Sequence, residues 1–432
     1  MNVCVAGLWH LGTVTAACLA SAGHQVTGLD AEPTVVGALL AGKSPVFEPA
    51  LADLIEAGLA SGHLHFTTDV ATATRRADVV WIAFDTPVDD EDKADTGSVL
   101  ERAAQLFPFL ADGTLVLISS QLPVGSTRHL EQVWSDRADG RTVSFACLPE
   151  NLRLGSAIET FTRPERVIAG VRTSADRGRV ASLLQPFTSQ IEWMSVESAE
   201  MTKHALNAFL ATSVGFINEI AELCEQVGAD AGAVERGLKS DSRIGPRAYL
   251  SPGAAVAGGT LARDVMFLSE LGQVHGVATH LIASVKTSND AHRRWAARRL
   301  HQLLGGVSGR TVAIWGLTYK PGTDTLRRSS SVELCQWLVD QGAAVVAHDP
   351  AIRRLPENDR YRFTLAETPL SAVRGASALV VATPWPEYRQ VAAGDVATRM
   401  VRGLVLDPNG FLNATLGTHD GIEHVTVGRT CK

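Results

Sequence analysis

The stretch Asn2-Val3-Cys4-Val5-Ala6-Gly7-Leu8-Trp9-His10-Leu11-Gly12, with the Ala-rich run to Ser21 and the segment Gln25 to Asp30, decides the fold class. Asn2 to Leu8 is a short apolar run rich in β-formers. His10 to Ser21 has a helical pattern, and Gln25 to Asp30 is a second strand ending in an acid. Strand, glycine turn, helix, strand and acid predict a dinucleotide-binding βαβ unit. In the Gly-x-Gly-x-x-Gly pattern Gly7 and Gly12 take the outer places, and Trp9 stands where a glycine normally lets the backbone approach a pyrophosphate. An indole there is expected to displace the cofactor or weaken its binding. The same residues also suit a tight turn in an α/β domain that binds no cofactor. Asp30 favours the cofactor, because a carboxylate at that point can hold both ribose hydroxyls and repels a 2′-phosphate. The expected cofactor is therefore NAD, with Gly7, Trp9, His10, Leu11, Gly12 and Asp30 as candidate contacts.

Outward from this unit the alternation continues. Ala77 to Phe84 reads as a buried strand running into Asp85-Thr86-Pro87, and Thr114 to Ser119 as another, followed by Ser120-Gln121-Leu122-Pro123. Hydroxyls after strands are expected where a doubly wound sheet meets its ligand. Taken singly, Thr86 and Ser120 read first as caps of the next helices. Val143 to Cys147, Arg166 to Val171 and Ile191 to Val196 complete a first domain, residues 1–196. Glu197 to Val227 then reads as one long helix without proline, suited to connecting domains or forming a dimer. Lys203 and Asn207, four apart, share a face and form a plausible oxyanion clamp. Residues 197–304 form a largely helical middle region around the Gly- and Pro-rich loop 241–264, which is long enough to be functional. The α/β pattern restarts with Thr311 to Leu317, Val332 to Gln341, Ala344 to His348, Ser377 to Thr383 and Leu404 to Asp407, giving a second parallel-sheet domain over 305–432. A cleft between two such domains is a natural substrate site. The fold class is thus α/β, with two Rossmann-like doubly wound parallel-sheet domains joined by a long helix.

Composition narrows the function. The chain has 432 residues, 46 acidic against 39 basic, and a net charge of −7 without long runs of either sign, which argues against nucleic acid as a partner. No apolar run approaches the ~18 residues of a membrane span, and the start reads as a strand, so a cytoplasmic protein is expected. The six cysteines, Cys4, Cys18, Cys147, Cys224, Cys335 and Cys431, are scattered without CxxC spacing and read as reduced thiols, with no metal site.

Over essentially its whole length the chain resembles the family of UDP-glucose 6-dehydrogenase and related UDP- and GDP-sugar dehydrogenases. The matching segments are Ser44 to Pro49, Thr86-Pro87, Leu122 to Gly125, Pro149-Glu150, Glu200 to Asn207, Phe216 to Ala221, Arg243 to Pro246, Pro252-Gly253 and Lys320 to Asp324. The resemblance implies a homodimer acting on a nucleotide sugar, most readily a UDP-sugar, whose C6 alcohol is oxidised to a carboxylate with two NAD through a thiohemiacetal and a thioester. It implies that Lys203 and Asn207 stabilise the oxyanion, that Asp264 orients water and the lysine, and that Glu150 assists hydrolysis. Thr86, Pro87, Gln121 and Arg327 would face the cofactor. Leu152, Arg153, Arg243, Tyr249, Gly253 and Lys320 would face the substrate, Arg243 across the dimer in one arrangement. The family's Gly-Phe-Gly-Gly-Ser-Cys-x-Pro-Lys-Asp is here Ala255 to Asp264, with Thr260 at the cysteine position, Leu154 where an acid is expected and Gln121 where a threonine is expected.

A thiol, with a pKa of about 8.5, supplies thiolate near neutrality, whereas an unactivated hydroxyl supplies almost none. Three readings follow. The first is a single oxidation to the C6 aldehyde, alone or within a cycle that returns the hydride. The second is the full four-electron reaction through the aldehyde hydrate. The third is a homologue that binds NAD and nucleotide sugar without turnover.

Overall fold

The structure, a computed structural model, describes residues 1–87, 89, 94–137, 140–257 and 260–429, and of Thr260 and Arg360 only the backbone. Two compact units, Met1–Ala205 and Leu206–Lys432, make up the chain.

The first unit is built on eight strands: β1 Asn2–Ala6, β2 Gln25–Leu29, β3 Leu64–Thr67, β4 Val79–Ile82, β5 Leu115–Ile118, β6 Ser144–Cys147, β7 Val167–Val171 and β8 Ile191–Met194. Their order is β3-β2-β1-β4-β5-β6-β7-β8. The central β4 and β5, Val-Val-Trp-Ile and Leu-Val-Leu-Ile, are buried throughout, as near-continuous apolar runs require when helices cover both faces. The strand order reverses at β1, which pairs in parallel with β2 on one side and β4 on the other. That reversal is the switch point at which doubly wound sheets bind their ligands.

One junction departs from the parallel expectation, since β7 runs antiparallel to β6. The chain between them stays at the carboxyl edge, where Glu48 accepts hydrogen bonds from Gly155 N and Ala157 N at 2.8 Å each. β7 therefore starts at the edge where β6 ends and runs back. β7 and β8 are again parallel to each other.

The second unit carries β9 Thr311–Trp315, β10 Ala344–His348, β11 Thr364–Leu365, β12 Ala378–Val381, β13 Leu404–Leu406 and β14 Glu423–Val425. All are parallel, in the order β11-β10-β9-β12-β13-β14, with the same reversal beside the first strand. Ahead of this sheet lie the helices Ala231–Ser240, Thr260–Val274, His280–Arg293 and Trp295–Leu304. Among the described residues no helix is long and apolar enough to cross a membrane.

One helix, Val196–Val227, runs from the first unit into the second and, with its 32 residues, is about 48 Å long. Its first turn is fastened by charge. Arg172 Nη1 donates to Glu197 at 2.8 Å and clamps Glu131 through Nε and Nη2 at 2.7 Å each, while Arg128 reaches Glu197 at 2.7 Å. The Arg172 hydrogen bond, acting against partial burial and aided by the helix start and Arg128, holds the Glu197 carboxyl down at about 2. A carboxyl with a depressed native pKa stabilises fully above its ordinary value of 4.5 and loses that contribution as pH falls through about 2. The urea midpoint of Glu197→Gln should accordingly lie below wild type at neutral pH, with the gap closing between pH 4.5 and about 2. A gap that stays constant over that window would contradict this account.

Candidate functional site

In the first unit the glycine turn is defined by steric limits. Gly7 has φ +93°, and a Cβ there would lie 2.7 Å from Phe84 Cα. At Gly12 a Cβ would lie 1.7 Å from the Gly7 carbonyl oxygen, so the helix His10–Ser21 packs directly on the turn. Trp9 is the N-cap of this helix. Its indole is 49% exposed and its side chain caps nothing, so the middle place of the motif turns outward. His10 Nε2 lies 3.0 Å from Glu48, a buried carboxylate that also anchors Gly155 and Ala157. Leu11 is half-buried beside it.

Asp30 is buried and accepts Leu8 N at 2.8 Å on one oxygen and Glu32 N at 3.1 Å on the other. A carboxylate has about four acceptor positions, so each oxygen keeps one for a ribose hydroxyl. The second unit repeats this geometry without the opening. Gly316 has φ +95° and donates to His348 O at 2.8 Å, as Gly7 does to Leu29 O at 2.8 Å. One oxygen of Asp349, however, already takes Leu317 N, Thr318 N, Thr318 Oγ1 and Trp385 Nε1, and the other takes Ala351 N. Of the two turns, the first keeps the features a dinucleotide needs: a backbone free of Cβ, a helix start without a side-chain cap, and an acid with acceptor positions to spare.

The strand ends beyond β1 are stapled to one another. Thr86 Oγ1 donates to Gln121 O at 2.8 Å and Ser120 Oγ to Phe84 O at 2.8 Å. Neither is a helix cap, which corrects the simpler sequence expectation. Asp95 caps the helix Thr96–Gln105. The start of Ser126–Ser135 is held by Glu200, which accepts Gly125 N at 2.6 Å, Thr127 N at 2.9 Å and Thr127 Oγ1 at 2.7 Å. The carbonyl of Pro87 accepts Asp95 N at 2.8 Å.

A small cavity opens at these ends, lined by Ser120, Gln121, Leu122, Glu150, Lys203 and His204 among others. Lys203 is buried and donates to the Glu150 carbonyl oxygen at 2.5 Å, with the Glu150 carboxylate 3.7 Å away. The other carboxylate oxygen of Glu150 accepts Leu152 N at 2.8 Å. Arg153 is exposed, and its carbonyl accepts Ser156 N at 2.9 Å. This arrangement places an ammonium on a partly desolvated wall, where a cation acts more strongly on nearby negative charge than it does in water.

In the second unit Asn207 donates through Nδ2 to Asp264, a fully buried carboxylate. Thr260 opens the helix Thr260–Val274, but its side chain, with Gly258 and Gly259, lies outside the described residues. Arg243 has an 87% exposed side chain and pairs at 2.7 Å with Asp241, and Tyr249 is also exposed. Gly253 is buried, with its N donating to Asn218 Oδ1 at 3.0 Å. Lys320 Nζ sits 5.7 Å from the centre of the Tyr319 ring, and Arg327 is exposed. Lys203 with Glu150 and Asn207 with Asp264 are thus each brought together, whereas Arg243 and Tyr249 stand on the loop surface. Sequence reasoning gave no role to Glu48, Glu200 or Asn218. Their segments were noted as matching, but most of their partners are backbone groups far away in the chain. Among the described residues no group of three or more His, Cys, Asp or Glu side chains is arranged to hold a metal.

A Cβ-free turn, an uncapped helix start and Asp30 at a switch point define a dinucleotide-binding protein of doubly wound fold. The sequence matches three profiles: the UDP-glucose/GDP-mannose dehydrogenase family NAD binding domain over residues 1–188, its central domain over 197–291 and its UDP binding domain over 313–414. The chain belongs to this family, and is an NAD-dependent nucleotide-sugar dehydrogenase. It is 36% identical to UDP-glucose 6-dehydrogenase of Pseudomonas aeruginosa, covering 99% of this chain and 98% of that one. It is 34% identical to the enzyme of the same name from Rhizobium meliloti, over 99% and 100% of the two chains. A solved UDP-glucose dehydrogenase from the archaeon Pyrobaculum islandicum superposes with a TM-score of 0.85 at 30% identity, over 94% of this chain and 93% of that one.

Two substitutions separate the roles within the turn. Gly12→Ala forces backbone apart and should cost on the order of 3 kcal/mol and abolish NAD binding. Trp9→Gly changes an outward side chain and should alter stability by less than about 0.5 kcal/mol while tightening NAD several-fold. Thermal melts and calorimetry with NAD read both, and an unchanged NAD affinity in Trp9→Gly would remove the indole as an obstacle.

Proposed function

We propose that the protein oxidises the C6 hydroxymethyl group of a UDP-sugar to the aldehyde and stops after one hydride transfer, RCH2OH + NAD+ giving RCHO + NADH + H+. Bound NAD supplies the hydride acceptor, and Gly7, Trp9, His10, Leu11, Gly12, Asp30, Thr86, Pro87, Gln121 and Arg327 are the residues proposed to hold it. The observation that carries the reading is the hydroxyl of Thr260 at the position that resemblance gives to a catalytic thiol. A threonine needs a dedicated base to act as a nucleophile. No other thiol among the described residues replaces it. Cys4, Cys18, Cys147, Cys224 and Cys335 are all buried, and burial together with Glu200 pushes Cys147, the cysteine lining the Lys203 cavity, well above the ordinary thiol range.

In this reading Lys203, oriented by the Glu150 carbonyl, lowers the energy of the O6 oxyanion, and Asn207, oriented by Asp264, adds a second donor. Asp264 also orders water and Glu150 serves as a proton acceptor. Leu152, Arg153, Arg243, Tyr249, Gly253 and Lys320 contact the nucleotide sugar, with Arg243 free to reach substrate in a partner protomer. The division into a cofactor domain 1–196, a helical domain 197–304 and a nucleotide-sugar domain 305–432 belongs to the same proposal. A homodimer is supported by Phe209, Phe216 and Leu223, exposed at 67%, 47% and 60% and spaced seven apart along one face of the long helix. Dependence on NAD and an activated sugar favours a cytoplasmic setting.

The names of the relatives favour a second reading, complete oxidation to the uronate through the aldehyde hydrate. The test is a panel of UDP-, GDP-, dTDP- and CDP-sugars with NAD, following product mass. Wild type should yield an aldehyde from a UDP-sugar, and Thr260→Cys should turn that product into the uronate. Uronate from wild type, unchanged in Thr260→Cys, would establish the second reading, and failure to bind NAD at all would leave only a binding role. Lys203→Ala should lower kcat by about 10²-fold or more with little change in NAD affinity.

A further inference from the structure

Ahead of Thr260, the polar backbone groups of residues 253–256 are met by side chains from distant parts of the second unit. Asn218 Oδ1 accepts Gly253 N at 3.0 Å, and Asn409 Oδ1 accepts Ala254 N at 2.9 Å. Asn289 accepts Val256 N at 2.8 Å and donates to Val256 O at 3.1 Å. The remaining partner is His292, 5% exposed, with Nε2 at 2.8 Å from Gly253 O and Nδ1 at 2.7 Å from Glu222 Oε1.

Both atoms facing His292 are acceptors. Gly253 O is a carbonyl oxygen, and Glu222 Oε1 also takes Arg298 Nη2 at 2.7 Å. Burial pushes the Glu222 carboxyl up, but the His292 hydrogen bond and Arg298 outweigh it and hold the group below its ordinary range, so Glu222 is ionised and has no proton to give. On the same helix as His292, Arg293 is bonded to Asp290 and to Glu333, and on the long helix Glu225 accepts from Trp295 Nε1 and Gly428 N.

We propose that His292 is a positioning residue which ties the Gly253 carbonyl to the Glu222–Arg298 pair and holds residues 253–256 in the shape that receives the nucleotide sugar. The proposal rests on the reading that this segment contacts the substrate. His292 touches neither cofactor nor reacting atoms; it acts through Gly253.

The test combines hydrogen exchange of the 253–256 amides, UDP binding by calorimetry and steady-state kinetics on wild type, His292→Ala and His292→Gln. In His292→Ala the amides should exchange about tenfold faster, and UDP should bind about tenfold more weakly, the effect of losing one charge-assisted hydrogen bond. KM for the nucleotide sugar should rise in step, with kcat and NAD affinity nearly unchanged. His292→Gln keeps an N–H for the Gly253 carbonyl and should recover most of the protection. Unchanged exchange and UDP affinity in His292→Ala would overturn the proposal. Wild type that fails to bind UDP would instead overturn the functional reading, and the exchange measurement would still decide whether His292 holds the segment.

Discussion

Buried backbone polar groups need partners, and the Val196–Val227 helix supplies many of them. In the first unit Glu200 holds the start of Ser126–Ser135, Lys203 takes the Glu150 carbonyl and His204 lies 2.9 Å from the Leu122 carbonyl. In the second, Asn207 meets Asp264, Asn218 takes Gly253 N, and Glu225 accepts from Trp295 Nε1 and Gly428 N. An unpaired buried polar group costs about 1–3 kcal/mol, so these side chains are bound to the loops they serve. The helix consequently turns much of its polar side inward, with Lys203, His204, Asn207 and Asn218 buried, and leaves Phe209, Phe216 and Leu223 to the outside.

This inversion explains which parts of the chain were legible. The helix was expected over Glu197 to Val227 from its length and freedom from proline, and it spans Val196–Val227. His10–Ser21 was read to the residue, because Gly7 and Gly12 leave the chain little choice there. The strands read to Cys147, Val171 and His348 end there, and the others end one or two residues sooner, where the apolar run turns into a loop. The strands β3, β11 and β14 escaped notice. They are short, two to four residues, and carry polar positions that break the pattern. The antiparallel β6–β7 junction depends on Glu48, which lies 107 residues from Gly155, and no local pattern reports such a tie.

The site was legible where chemistry-bearing side chains recur at helical spacing, as Lys203 and Asn207 do. It was opaque where a side chain works on a backbone group, as Asn409 does on Ala254 across 155 residues and His292 on Gly253 across 39. The comparison of the two glycine turns was also beyond sequence alone. Both sheets carry the turn and the acid, but Asp349 is taken up by five donors of its own unit, while Asp30 keeps acceptor positions. The same turn-and-acid motif thus keeps open acceptor positions in one unit and serves internal cohesion in the other.

The proposed chemistry rests on Thr260 standing where the resemblance places a thiol. Lys203 and Asn207, the proposed oxyanion donors, are held by Glu150 and Asp264, and the described thiols are buried. The most direct measurement is a single-turnover count of NADH formed per sugar consumed, with hydroxylamine present to trap any aldehyde. One NADH per sugar and an oxime as product are the expected result; two NADH per sugar and a uronate with no trapped oxime would contradict the account.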